Sequence, residues 1–311
     1  MELRIDKQLS SLVKFFAALT VALHHYSQYV CANDLSECII YKLFSFQGGF
    51  LAVGVFFFLS GYGLMESEKK NHLSPSAFLK KRLFRVYLPV LLVTILWLPI
   101  KSYIQGEPFL TGGVIYKLLW GFEDGVLWFV KVLLVLYLCF GIFIWIRERY
   151  SHIVSIICLN LLTVGAIAVA LMLLQMRDYQ TISIPLFTIG VIGSLYNNGE
   201  THKTFAYLGA WCVGIICLLI LLSGVSTLQI HVLINYVTIF IAIFLLAKFP
   251  VKKKLVVPAV VGDISFDIYL VHNKAFMALK VLLPVVPLYS FVGLSAAATI
   301  LFYLIRKKLN L

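Results

Sequence analysis

Apolar residues run along this chain in blocks of roughly twenty, divided by short polar stretches, and each block is about the length that crosses a bilayer as a helix. Spans are expected over Ser10–Val30, Gly48–Met65, Val86–Tyr103, Leu127–Ile146, Ile153–Gln175, Ile182–Tyr196, Phe205–Ser223, His231–Ala247, Ile264–Leu283 and Leu288–Ile305. The predicted fold is all-α: a polytopic integral membrane protein of about ten transmembrane helices, with residues 1–311 forming one membrane domain. The first block is too long for a secretory signal and lacks a small-residue cleavage site, so it is read as a retained span.

Composition sharpens this picture. The chain is 61% hydrophobic and 13% charged, with a mean hydropathy of +0.95, whereas soluble domains carry about a quarter charged residues. The net charge of +12 would suit nucleic acid, but the placement of the cations argues against that class. With the N-terminus inside, the inner segments collect Lys80, Lys81, Arg82, Arg85, Arg147, Arg149, Lys252 to Lys254 and Arg306 to Lys308. The outer side and its boundary keep only Lys42, Lys101, Lys117, Arg177, Lys274 and Lys280. This asymmetry is the positive-inside pattern; it predicts a cytoplasmic-membrane protein with both termini cytoplasmic and its basic rim on anionic lipid. Cys139, Cys158, Cys212 and Cys217 fall in apolar spans as small hydrophobes. Cys31 and Cys38 flank the first outer loop, bridged or free. No Cys/His spacing resembles a metal site.

Ionisable residues inside apolar blocks are costly and call for a functional reason. Lys14 and His25 lie eleven positions apart in the first block. At ~100° and 1.5 Å per residue they share one helix face, about 16 Å apart along the axis. His24 points about 100° away from that line. The second block ends in Ser60-Gly61, a small pair that suits close helix packing or a ligand. FLKKRLFRVYLP then puts Arg82 and Arg85 three apart on one face ahead of Pro89. Paired guanidiniums suit a phosphate, each offering a planar fork of donors; the alternative is a lipid anchor, the role expected of Lys80 and Lys81. Ser265, Tyr269 and His272 share a face, and Asp263 and Asp267 are expected to pair with inner lysines. His72, His152, His202 and His231 fall in connections or at span edges, where solvated or interfacial histidines are expected.

In their order these motifs resemble the membrane acyltransferase-3 family. That family opens with an arginine, ten intervening residues and a histidine, the spacing kept here by Lys14 and His25. Its Phe-Phe-rich second span closing on Ser-Gly is matched by Phe56, Phe57, Ser60 and Gly61, and its basic pair before a proline by Arg82, Arg85 and Pro89. Leu127, Trp128 and Tyr137 match its Leu-Trp-initiated span, and Ser265 to His272 its Ser-aromatic-x-Ile-Tyr-Leu-x-His segment. Two positions depart. Lysine at position 14 acts as a point charge rather than a fork. The glutamate that many members carry after Leu-Trp is missing from FVKVLLVLY, which has Lys131 instead.

The resemblance implies an O-acyltransferase that moves an acyl group, most commonly acetyl, from a coenzyme A thioester to a hydroxyl of a surface or exported glycan or glycolipid. No permanently bound cofactor is implied; acetyl-CoA or another acyl-CoA is the donor substrate. His25 is then the catalytic base, suited by an imidazole pKa close to working pH. Arg82, Arg85 and Lys14 would hold acyl-CoA, with Ser60 in the donor channel as a hydrogen-bond donor or as packing. Trp128 and His272 would stand on the acceptor side; the alternatives are an interfacial ring for Trp128 and an interhelical polar contact for His272. Direct transfer and an acyl-histidine intermediate are both open, as are the glycan and a homo-oligomer or glycan-assembly partner. The family's optional esterase-like domain is not expected, so the reaction belongs to the membrane unit or to a separate partner. Two other classes fit the same residues. Intramembrane Lys and His also mark a transporter or flippase, although the Gly-rich interruptions at Ile189–Gly193 and Val260–Gly262 form no matched pair. A catalytically retired relative that scaffolds glycan enzymes is the third.

Overall fold

The computed structural model describes residues 5–72, 74–106, 127–174, 176–195, 227–248 and 258–311, which contain helices and turns and no strand. The helices are α1 (Lys7–Ala32), α2 (Ile39–Leu43), α3 (Gly49–Asn71), α4 (Pro75–Gln105), α5 (Trp128–Arg147), α6 (His152–Met172), α7 (Asp178–Thr181), α8 (Pro185–Leu195), α9 (Thr227–Lys248), α10 (Ala259–Leu282) and α11 (Leu288–Lys308). A π-helical turn, Phe44–Gly48, joins α2 to α3. Polar residues start the helices where the apolar blocks begin. Asp6 accepts from the Leu9 amide at 2.7 Å, and Ser74 and Ser151 accept at 3.4 Å from Ala77 and Val154; each meets an amide that lacks an intrahelical partner.

Among the described residues, five helical stretches are long and apolar enough to cross a membrane: Ile39–Asn71, Pro75–Ile104, α5, α6 and α11. The described residues therefore do not by themselves confirm the expected count of about ten. α1 and α10 have the length, but Lys14, His24 and His25 on one and Asp263, Asp267, His272 and Lys274 on the other lower their hydropathy. α8 is apolar but has only 11 residues. The expected span Phe205–Ser223 and His202 lie outside the described residues.

Two junctions position the site. At the first, α3 crosses α8 backbone to backbone: a Cβ on Gly61 would lie 2.0 Å from the Phe187 carbonyl oxygen, and one on Gly190 2.2 Å from that of Phe58. Glycine is required for so close an approach. Toward the same end of α3, Ser194 donates to Glu66 at 2.8 Å, and Lys69 pairs with Glu66 at 3.1 Å while donating to the Ser194 carbonyl.

The second junction binds α1, α10 and α11. At their basic ends Arg306 forks onto the fully buried Asp267, with Nε and Nη2 each 3.0 Å from a carboxylate oxygen, and also reaches the Asp263 carbonyl at 3.3 Å. Asp267 thus pairs with an arginine instead of the expected lysines, because a guanidinium satisfies both carboxylate oxygens at once. At the other ends Tyr26 donates to the Val286 carbonyl at 3.0 Å, the Val286 amide donates to Tyr29 Oη at 3.1 Å, and Tyr26 stacks on Phe291 at 5.2 Å.

Candidate active site

The largest cavity described, about 1070 Å³, opens at the end of the bundle away from Lys69, Lys80, Arg147 and Arg306. Its walls come from α1 (His24, His25), the π turn (Phe46), α3 (Gly49, Phe50), α5 (Trp128), α9 (His231) and α10 (Tyr269). His25 is half-buried, with Nδ1 3.3 Å from Gln28 Oε1. Its ring stacks on that of His272 at 5.4 Å and 19° and meets His24 edge-on at 5.2 Å. His272 is fully buried, and its Nδ1 donates to the Ile268 carbonyl at 2.9 Å. That bond is made within α10, yet it holds the ring flat against His25. The contact that His272 makes across to α1 is this ring stacking, and His272 itself does not line the cavity.

His24, off the Lys14–His25 line, lines this cavity too, because the π turn folds over α1 and covers the face next to that line. His24 Nδ1 donates to the Phe44 carbonyl at 2.8 Å, and in the neutral ring this leaves Nε2 with the lone pair. Gly49 makes room for the ring: a Cβ there would lie 2.6 Å from His24 Nε2.

His231, half-buried, lines the same cavity. It sits between Phe46 and Phe50, with ring centroids 4.2 and 4.5 Å away, and Nδ1 bonds Gln47 Oε1 at 2.7 Å. The Gln47 amide returns a bond to the His231 carbonyl at 3.2 Å. Four imidazoles therefore gather around one space, three of them lining it directly. Among the described residues no group of three or more His, Cys, Asp or Glu is arranged to hold a metal ion. Cys31 lines the cavity, and it and Cys38 are free thiols.

Trp128 lines the cavity from the first turn of α5, half-buried. Lys14, Ser60, Arg82 and Arg85 do not line it. Lys14 lies within electrostatic reach of Arg82, which in turn feels Arg85 and Tyr137. These side chains from α1, α4 and α5 form a second polar cluster toward the basic ends. Arg82 is half-buried and Arg85 exposed. Ser60 is half-buried beside Gly61, at the crossing with α8. The cavity stops at Val21, seven residues and so about 10 Å along α1 from Lys14. In that interval Ala17 and Ala18 are packed at 6% and 0% exposure.

Two polar centres, one cationic and one imidazole-rich, thus stand on one bundle of apolar helices, which defines a polytopic membrane protein. The family comparison gives that class a name: a family model described as an acyltransferase domain matches residues 10–307. The chain belongs to this acyltransferase-3 family and is a membrane acyltransferase by that membership. No curated protein and no solved structure matches it.

Proposed function

We propose that the protein is an acyl-CoA-dependent O-acyltransferase, most simply an O-acetyltransferase, that modifies a hydroxyl of a surface or exported glycan. The observation that carries this reading is His25, an imidazole on the wall of a carbohydrate-sized cavity and on the same helix as the cation Lys14. In this reading the basic ends face the cytoplasm of the producing cell, as the cation asymmetry implies. Acyl-CoA then arrives at that side, with its phosphates on Arg82 and Arg85 and its acyl arm passing Lys14. The arm must part the packing around Ala17 and Ala18 to reach Val21, so donor binding opens the interval that is closed here.

The chemistry needs little beyond a placed base. With Nδ1–H turned to Gln28, His25 Nε2 takes the proton of the acceptor hydroxyl as its oxygen attacks the thioester carbonyl. A C–O bond forms, the C–S bond breaks, and the imidazolium returns its proton to the departing coenzyme A thiolate. His272, stacked behind His25, positions the ring. Trp128, Phe46 and Phe50 offer apolar faces to sugar C–H groups, as glycan recognition requires.

One observation favours a second base. His24 is held by the firmer bond, 2.8 Å to Phe44 against 3.3 Å from His25 to Gln28. Both assignments are tested in vesicles that hold the purified protein, labelled acetyl-CoA on the basic side and glycan acceptors on the other. Label on the acceptor that falls by about 10²–10⁴ in His25→Ala, and by much less in His24→Ala, supports His25. The reverse order moves the role to His24. Movement of unmodified glycan without label transfer makes the protein a flippase instead.

A further inference from the structure

His25 also walls a second space. A pocket of about 300 Å³ opens between the far ends of α1 and α10, lined by Gln28, Asn33, Asn273 and Lys280. His25 and Gln28 line both this pocket and the large cavity. A single turn of α1 is thus the partition between them, with the imidazole set into it.

The two spaces share a mixed chemistry. The large cavity sets aromatic faces beside Lys42, Arg177 and Gln180, and the smaller pocket sets the carboxamides of Gln28, Asn33 and Asn273 and one ammonium beside Tyr29 and Phe276. The Asn33 side-chain nitrogen is engaged by the Tyr29 carbonyl at 2.8 Å, which fixes the carboxamide at the rim. Lys280 Nζ stands over the rings of Tyr29 and Phe276, 5.7 and 5.4 Å from their centroids. This attraction holds the ammonium at the pocket. Amides that both donate and accept, with a point cation beside them, recognise a surface dense in hydroxyl or amide groups.

Resting on the acyltransferase reading above, we propose that this pocket is a second acceptor subsite, so that the substrate is an extended glycan of at least two sugar residues. One residue occupies the large cavity and presents its hydroxyl to His25. Its neighbour passes over Gln28 and lies against Asn33, Asn273 and Lys280. Binding of the non-reacting residue then helps to hold the reacting hydroxyl at the imidazole.

The test uses the full-length protein in vesicles and the de-O-acylated surface glycan of the producing cell, cut and sorted into monosaccharide, disaccharide and tetrasaccharide fractions. The quantity read is the ratio of kcat/KM for tetrasaccharide to that for monosaccharide. It is internal to each preparation, so loss of folded protein cancels. The wild-type ratio should exceed about three, and Asn273→Ala and Lys280→Met should each lower it by about three- to tenfold. Equal use of all lengths by the wild type, or a ratio unchanged in both variants, overturns the subsite and leaves acyl transfer standing. Label on no fraction removes the acyltransferase reading and the subsite with it.

Discussion

Alanine at Gly61 probes the joint that holds α8 against α3. The added Cβ would sit 2.0 Å from the Phe187 carbonyl oxygen and 3.1 Å from the Val191 amide. Ordinary contact begins near 3.4 Å, so α8 must retreat by about 1.4 Å, the difference between 3.4 and 2.0. Both opposing atoms are backbone, and no side-chain rotation relieves the clash. Overpacking of this kind costs about 1–3 kcal/mol. Part of that is offset, since alanine favours a helix over glycine by about 0.8–1 kcal/mol. Gly63 separates the two effects. It lies two residues further along α3, and a methyl group there would meet nothing within 4 Å, so Gly63→Ala should show the propensity gain alone. The difference between the two variants then equals the packing cost, about 1–3 kcal/mol. Thermal unfolding of the purified proteins in one detergent reads the order: Gly63→Ala at or above wild type, Gly61→Ala clearly below Gly63→Ala. A Gly61→Ala midpoint equal to that of Gly63→Ala would refute the close crossing.

Arg306→Ala strands the buried Asp267 carboxylate and should cost about 3–5 kcal/mol, seen as a lower melting midpoint and folded yield. Asp267→Asn should cost less, because the Arg306 cation it leaves is 16% exposed and still donates to the Asp263 carbonyl; equal midpoints for Arg306→Ala and wild type would show that the fork carries no stability. Arg82→Ala and Arg85→Ala should each raise the KM for acyl-CoA by about tenfold while the acceptor KM stays within a factor of two, as expected for charge-assisted phosphate contacts. Steady-state kinetics in which only the acceptor KM moves would transfer the pair to the other substrate.

Much of the helical layout can be read along the chain because helix formation in lipid depends on local composition. The expected Ser10–Val30, Leu127–Ile146 and Leu288–Ile305 fall on α1, α5 and α11 almost residue for residue, since each backbone amide in a span must be satisfied within the helix itself. The Lys14–His25 spacing is local in the same sense, as eleven residues return the chain to one face. The family likeness follows from such short motifs in sequence order. Hydropathy read in the same way took α1 and α10 as ordinary apolar spans, although each carries several ionisable residues; among the described residues five helical stretches are long and apolar enough to span.

Packing decided the rest. His231 meets Gln47 across 184 positions, and His25 stacks on His272 from another helix; no periodicity encodes either contact. His24 entered the site because a π turn lies over α1, and its partner is a main-chain carbonyl, a group that every residue possesses and that therefore leaves no mark in a pattern of side chains. Asp267 took Arg306 because the α10–α11 hairpin brings that guanidinium within 3.0 Å, although lysines outnumber arginines among the basic-side cations. Position along a helix is set by neighbours in the chain; the company a side chain keeps is set by how helices cross.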